Sequence, residues 1–392
     1  MSDAEAILTM NAGSSSLKLG LFNRDASRMI ASVLAERIGT ADASLSMKTG
    51  QGGALALPAA LIPDHAAALV AGLAALKQQF PGTHVAAVGH RVVHGGPDFA
   101  APAVLTPQIL AKLHSYAPFA PLHQPHNLAG IAAAMAAFPR AVQIACFDTG
   151  FHRGQPWEND TYALPRRYYD KGIRRYGFHG LSYQHVSGEL ARLAPELAKG
   201  RVIIAHLGNG ASMCALLGGR SIGSTMGFST LDGLAMGTRS GQIDPGVLLY
   251  LLEQDGLTVG ELSDLLYRQS GLLGLSGLSN DMRELAASDD PAAGQAISYF
   301  CTRVRREIGS LAAALGGLDA LIFTGGIGEH AGAIRAQVCD GMGWIGIALD
   351  PARNATAARI VSPEGAVVTV MVIPTDEERV IARAMASALA LG

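Results

Sequence analysis

Two apolar arms, Ile7–Met10 and Leu17–Phe22, flank the small polar run Asn-Ala-Gly-Ser-Ser-Ser. Short β-prone arms around a tip of this kind predict a β-hairpin. The pattern returns in mid-chain, where Arg201–Arg220 reads as an apolar arm, a Gly-Asn-Gly-Ala-Ser tip and a second arm. Tips with so little bulk let backbone N–H groups come close to an anion. Lys18 follows the first tip, where its ammonium can reach the same anion. Two such hairpins predict the phosphate-facing turns of a duplicated nucleotide-binding core.

The remaining pattern is α/β. Strands are expected at Met29–Ile38, Leu45–Lys48, Val85–Gly89 and Val142–Phe147, with a turn at Thr49–Gly53. Helices are expected at Pro63–Phe80, opened by Pro and Asp, at Thr106–Tyr116 and at Asn127–Phe138. After a segment at Thr161–Leu197 the order starts again. Val202–His206, Met213–Leu217, Ala320–Thr324 and Ala366–Ile373 read as strands. Pro245–Glu253, Thr258–Arg268, Pro291–Leu315, Glu329–Cys339 and Glu377–Leu391 read as helices. Strands alternating with helices place ligand groups at the carboxyl ends of strands. The expectation is two similar α/β domains with an active-site cleft between them: residues 1–150, residues 151–375, and a closing helix at 376–392 that packs back on the first.

Composition narrows the function. With 392 residues, 49% of them hydrophobic and 16% charged, the chain is globular and long enough for two domains. A formal net charge of −2 provides no basic field for nucleic acid or an anionic membrane. Phosphate chemistry must therefore use individually placed cations. The four cysteines lie apart, without metal-ligand spacing, and read as buried thiols of a reducing compartment. The opening MSDAEAILTM lacks a basic n-region and a long apolar stretch, so no signal peptide and a cytoplasmic location are expected.

Several residues could carry chemistry. Ser14 and Ser16 in the first tip and Asn209 in the second are phosphate-cradle candidates. Arg91, after a strand in GHRVVHGG, and Arg239, in the glycine-bracketed MGTRSGQIDPG, suit a planar oxyanion through two parallel hydrogen bonds. Each could equally form a salt bridge with a nearby carboxylate. Asp148 ends an apolar strand, as an N-cap or as a metal or acid–base group. Glu377 and Glu378 make an acidic first helical turn, with Glu377 able to face the cleft. His90, His94, His123 and His126 admit a metal cluster, although strand and loop do not give helical ligand spacing. His179, in RRYGFHGLSY, is either a core histidine or a donor to developing phosphoryl charge.

The motifs MNAGSSSLK, GHRVVHGG, PLHQPHN, FDTGFH, YGFHGLSY, HLGNGAS, MGTRSGQIDPG, FTGGIGEH and PTDEE together resemble those of the acetate kinase family, in order and over nearly the whole chain. The resemblance implies the duplicated core of sugar kinases, actin and chaperone ATPases. It also implies transfer of a phosphoryl group from ATP to acetate, giving ADP and acetyl phosphate, with Mg²⁺ (Mn²⁺ as the alternative) and a homodimer. By motif, Asn11 and Glu377 would hold the metal. Lys18 and the segment His206, Leu207, Gly208, Asn209 and Gly210 would meet the phosphates. Asp281, Met282 and Arg283, with Gly326, Ile327, Gly328, Glu329 and His330, would frame the adenosine. Arg91 would bind the carboxylate beside Asp148, the family's catalytic acidic residue, here read as organising the metal or Arg91. His179 and Arg239 would stabilise the transition state. Val93, Leu122 and Phe178 would wall a pocket for the substrate methyl, with His123 on the substrate side.

The chain departs from the family pattern at a few positions. Thr230 stands where a pocket-wall proline is usual, Asp232 for glutamate, and Gln242 for an acidic residue or asparagine. His330 and Asp376 each replace an asparagine. A propionate or butyrate kinase is the alternative within the class. An actin- or chaperone-like ATP-binding module and a histidine-metal hydrolase are alternatives outside it.

Overall fold

A computed structural model describes residues 5–13, 16–50, 54–56 and 62–391. The first hairpin consists of β1 (Glu5–Ala12) and β2 (Ser16–Asn23), paired antiparallel from Ala6↔Asn23 to Ala12↔Leu17. Both arms run longer than their apolar cores, so Asn11 is a strand residue directly opposite Lys18 and not part of the tip. Opposite residues of an antiparallel pair project from one face. Ser14, Ser15 and the Gln51–Gly53 part of the turn after the fourth strand lie outside the described residues.

β3 (Met29–Glu36), β4 (Ser44–Thr49) and β5 (Ala54–Ala56) extend the sheet antiparallel beyond β2. On the other side of β1 runs the parallel β6 (His84–Val92). β7 (Ala103–Val104) and β8 (Val142–Phe147) follow, with β8 parallel to β6 and β7 antiparallel at the edge. The second sheet holds β9 (Arg201–Leu207), β10 (Ala211–Leu217), β11 (Arg220–Ser224), β12 (Ala320–Thr324) and β13 (Thr369–Val372). Its order is β11-β10-β9-β12-β13, and the first sheet contains β3-β2-β1-β6-β8 with the same parallel and antiparallel relations. Two antiparallel turns of chain followed by two parallel returns, made twice, constitute the duplication.

The chain divides into two compact units: residues up to Arg153 together with those from Asp376 on, and Gly154–Thr375. In the first unit one face of the sheet is covered by the helix His65–Gln79, whose N-cap Asp64 accepts the Ala67 N–H at 2.8 Å. Leu17, Leu19 and Leu21 of β2 with Val33 and Ala35 of β3 lie in the core it helps form. Side chains two apart share a face of the sheet, which accounts for the choice of residues. The helix Glu377–Leu391 packs on β6 so closely that a Cβ on Gly89 would clash with the Ile381 side chain. A bare backbone at Gly89 lets that helix carry Glu377 and Glu378 to the strand end.

Four expectations are corrected. β6 continues past Gly89 to Val92, so Arg91 lies within the strand, opposite Cys146 of β8. The helix expected at Glu329–Cys339 is two helices, Gly325–His330 and Gly332–Cys339, with a break at Ala331. Gly325 takes φ +77°, a conformation that lets the chain leave β12 sharply. The helix predicted from Asn127 starts at Gln124, and β13 is shorter than Ala366–Ile373. Among the described residues no helix is long and apolar enough to cross a membrane.

Candidate active site

In the first unit the side chains gather around Arg91. Its Nε donates to both oxygens of Asp148, at 3.0 and 3.1 Å, and its Nη2 donates to Oδ2 at 2.7 Å. Asp148 follows β8 directly and is 2% exposed. Its backbone N–H is tied to the Val92 carbonyl at 3.1 Å. The Arg91 guanidinium is thus gripped along one edge and its orientation is set. The opposite corner, Nη1, lies 3.3 Å from Asn11 Oδ1 and 3.5 Å from Glu377 Oε2. Burial by itself would lower the Arg91 pKa, but the negative charges of Asp148 and Glu377 outweigh it and hold the pKa above its ordinary value.

The next glutamate holds the other cation. Glu378 Oε1 lies 2.6 Å from Lys18 Nζ, and burial, opposed by Lys18, raises the Glu378 pKa. Asp376 accepts the Arg379 N–H at 3.0 Å and pairs with the Arg379 side chain at 2.9 Å. It therefore caps the helix that presents both glutamates. Val93 is buried beyond the end of β6, and Leu122 and His123 are half-buried just before the helix Gln124–Ala137.

His90 and His94 are buried and bonded within the fold. His90 Nε2 meets Gln143 Oε1 at 2.7 Å, and His94 Nδ1 accepts the Gly96 N–H at 2.9 Å. Burial, against the Gln143 hydrogen bond, lowers the His90 pKa to about 4. Burial and then the charge of Arg153 lower that of His94 to about 3. His126 is exposed and its ring lies tilted against that of His65, with centroids 5.4 Å apart, and His65 Nε2 meets the Gly13 carbonyl. Among the described residues no group of three His, Cys, Asp or Glu could hold a metal ion.

Two neutral buried imidazoles predict an acid limit to stability. The unfolded chain takes up these protons near pH 6.5, whereas the fold resists them until about 4 and 3. The stability they contribute is complete above pH 6.5 and declines as pH falls towards 4. The slope is at most ~1.4 kcal/mol per pH unit for each group. Thermal melts between pH 7 and 4.5 should show a falling Tm, and His90→Gln should flatten that fall. An unchanged slope in the variant would remove His90 from the account.

In the second unit the hairpin tip Gly208-Asn209-Gly210 joins β9 to β10. His179 stands at φ +56°, immediately before the helix Gly180–Leu193. Its Nδ1 engages Ser212 Oγ at 2.8 Å, while Ser182 engages His206 Nδ1 at 2.8 Å. The two rings stack with centroids 4.3 Å apart. A Cβ placed on Gly210 would lie 3.5 Å from His179 Nε2 and 4.0 Å from Arg239 Nη1. Imidazole and guanidinium therefore converge beside the bare tip.

Arg239 differs from Arg91 in what surrounds it. Its contacts among the described residues are the Thr230 carbonyl at 3.2 Å and Met236 Sδ at 3.7 Å, with no carboxylate. Burial lowers its pKa from the ordinary arginine value. The loop is fixed to the hairpin by Gly237 N–H donating to the Asn209 carbonyl at 3.0 Å. The salt-bridge alternative raised by sequence thus describes Arg91 and not Arg239.

The adenosine candidates lie in this unit and are partly used by the fold. Asp281 caps the helix Met282–Ala286 and pairs with Arg283, whose hydrogen bonds lower the Asp281 pKa to about 2. Met282 is buried, whereas the Arg283 side chain is 91% exposed. Glu329 Oε1 accepts from the backbone N–H of Gly325 and of Thr375, at 2.9 and 3.1 Å. That carboxylate secures the start of its own helix. Gly326 is open to solvent, Ile327 half-buried, Gly328 buried and His330 exposed. Leu207 and Phe178 are fully buried, so Leu207 could offer a nucleotide its backbone alone.

Sequence reasoning missed the residues that hold these groups. Ser182, Ser212 and Asn127 lie within the motifs YGFHGLSY, HLGNGAS and PLHQPHN, but nothing in those runs says which partner each one holds. Gln242 Oε1 accepts from the buried Arg303 at 2.6 Å, and Asp232 pairs with Arg175 at 3.0 Å.

The sequence model of the acetokinase family matches residues 6–383. A relative from Methylocella silvestris, an acetate kinase, is 50% identical over 97% of both chains. A crystal structure of Porphyromonas gingivalis acetate kinase is 37% identical with a TM-score of 0.89, covering 98% of this chain and 100% of that one. A propionate kinase structure from Francisella tularensis is also 37% identical, with a TM-score of 0.90, covering 98% and 99%.

Proposed function

The chain belongs to the acetokinase family, and on that premise we propose that it reversibly transfers the γ-phosphoryl group of ATP to acetate. One bond forms, between a carboxylate oxygen and the γ-phosphorus. One breaks, between that phosphorus and the β,γ-bridging oxygen, and ADP carries away the electron pair. The observation that carries the reading is Arg239: a half-buried guanidinium without a carboxylate partner among the described residues, converging with His179 Nε2 beside Gly210. A cation kept free of internal anions is suited to charge that appears on a transferring phosphoryl group.

Acetate is ionised at neutral pH, so attack needs no general base. Asp148 accordingly positions Arg91, leaving the Nη1 corner for the substrate carboxylate. Glu377, at 3.5 Å from Nη1, is a loose contact that an incoming carboxylate replaces. Lys18 and the backbone of the Gly208–Gly210 tip would meet the phosphates. The divalent ion fits the residues present, because Asn11 and Glu377 are hard oxygen donors that one cationic nitrogen already approaches. Mg²⁺ takes few protein ligands, keeps waters and binds phosphate oxygens. When bound there, Mg²⁺ (or Mn²⁺) would neutralise β- and γ-phosphate charge. A homodimer accords with the helix Pro245–Glu253, which exposes Val247, Leu249 and Tyr250.

Gly210→Ala tests this reading. The added methyl would be at ordinary contact distance from His179 and Arg239, so the fold should hold while space for the phosphoryl group is lost. Hydroxamate-trapped acetyl phosphate should fall by more than tenfold with Tm unchanged. Normal turnover would show that the phosphoryl group passes elsewhere.

A further inference from the structure

The parallel ladder between β1 and β6 ends at Met10↔His90. Three groups of the first unit that the reaction uses lie just beyond that point: Asn11 on one strand, Arg91 and Val93 on the other. Strand ends without a ladder are free to separate by fractions of an ångström, and a site of this kind is sensitive to such shifts.

Asn127, in the second turn of the helix Gln124–Ala137, occupies the gap. It is 3% exposed. Its Oδ1 accepts the Val93 N–H at 3.0 Å, and its Nδ2 donates to the Ala12 carbonyl at 3.0 Å. One carboxamide thereby takes the place of a missing peptide unit, offering an acceptor to β6 and a donor to β1. Asparagine matches this demand because its amide carries both functions in one plane. Aspartate has no donor for Ala12, and leucine has neither function.

We infer that Asn127 is a positioning residue for the carboxylate and metal side of the site, acting as a side-chain rung that fixes the distance between Asn11 and Arg91. It touches neither substrate nor metal. The bridge holds Asn11 Oδ1 within 3.3 Å of Arg91 Nη1, so its removal should disturb the two groups together. The nucleotide-facing residues of the second unit have no part in this bridge. The inference rests on the carboxylate-kinase reading for its kinetic consequence, though not for its structural one.

The experiment compares wild type, Asn127→Leu, Asn127→Asp and Leu128→Ala. Leu128 is 5% exposed on the same helix, and its truncation reports generic loss of packing. Both Asn127 variants should lower kcat/KM for acetate about 10–100-fold, the usual scale for residues that orient a site from behind. They should also raise the Mg²⁺ concentration needed for half-maximal rate, with KM for ATP within twofold. Leu128→Ala should lose stability and leave those ratios unchanged. Amide exchange at Val93 should accelerate in Asn127→Leu and stay slow in Asn127→Asp, which retains the acceptor. If Asn127→Leu and Leu128→Ala have the same kinetic profile, or Val93 exchange does not change, the inference is overturned. If wild type makes no acyl phosphate, the functional reading fails, and Val93 exchange alone then decides the structural claim.

Discussion

Arg239→Leu should reduce kcat about 10³-fold or more, the range over which a transition-state arginine acts in phosphoryl transfer. Nucleotide affinity should stay within a few-fold. The asymmetry follows from the surroundings of Arg239, which meets a carbonyl and a thioether instead of a carboxylate. A desolvated cation without an internal counter-charge gains most when charge develops nearby, and little while the substrate is merely bound. Leucine also removes a half-buried charge without orphaning an anion, so stability should not fall with activity. Single-turnover kinetics beside ADP titration would separate the effects. Near-normal turnover would remove Arg239 from the mechanism, and a parallel loss of nucleotide binding would make it a ground-state ligand.

Arg91→Leu should fail in two ways at once. It withdraws the guanidinium from Asp148, which is 2% exposed, and breaking such a buried pair costs ~3–5 kcal/mol. It also removes the oxyanion grip, so KM for acetate should rise steeply. The two losses can be separated. Arg91→Leu combined with Asp148→Leu removes both charges, and apolar replacement of a buried ion pair is close to neutral for stability. The double variant should therefore recover most of its denaturation midpoint and none of its activity. A single variant as stable as wild type would show that Asp148 does not depend on Arg91.

What sequence made legible is what local pattern encodes. The two hairpins, the helix opened by Pro63 and Asp64, and the closing helix from Glu377 appear as periodicity and capping residues. The strand ends were less legible. Asn11 and Arg91 are polar residues within strands, and apolar patterning stops one or two residues before the ladders do. β7 pairs over two residues, too short for any periodicity to register. The helix start at Gly325, four residues before the expected Glu329, was not legible because glycine is a weak helix former, whereas Glu329 secures it from within.

The site was legible as motifs but not as partnerships. The choice between a salt bridge and an oxyanion site at Arg91 and Arg239 depends on which carboxylate lies near each one. Asp148 is 57 residues from Arg91, and the Glu377 that also approaches it is near the far end of the chain. Asn127 closes the motif PLHQPHN, but its role was not readable there, since it exists only where two strand ends part. Thr230 illustrates the opposite case. Sequence marked it as a pocket-wall substitution, and the structure shows its carbonyl holding Arg239, a duty for which the side chain is not needed.

Whether acetate accepts the phosphoryl group is tested most directly by hydroxamate-trapped acyl phosphate formation with ATP and Mg²⁺. Acetate, propionate and butyrate should be run in parallel. One methylene in an apolar pocket is worth only ~1–3 kcal/mol, so the ranking by kcat/KM is the informative quantity. Acyl phosphate should form from all three acids, or from the smaller two, with acetate leading. ATP hydrolysis with no acyl phosphate from any acid would contradict transfer to a carboxylate.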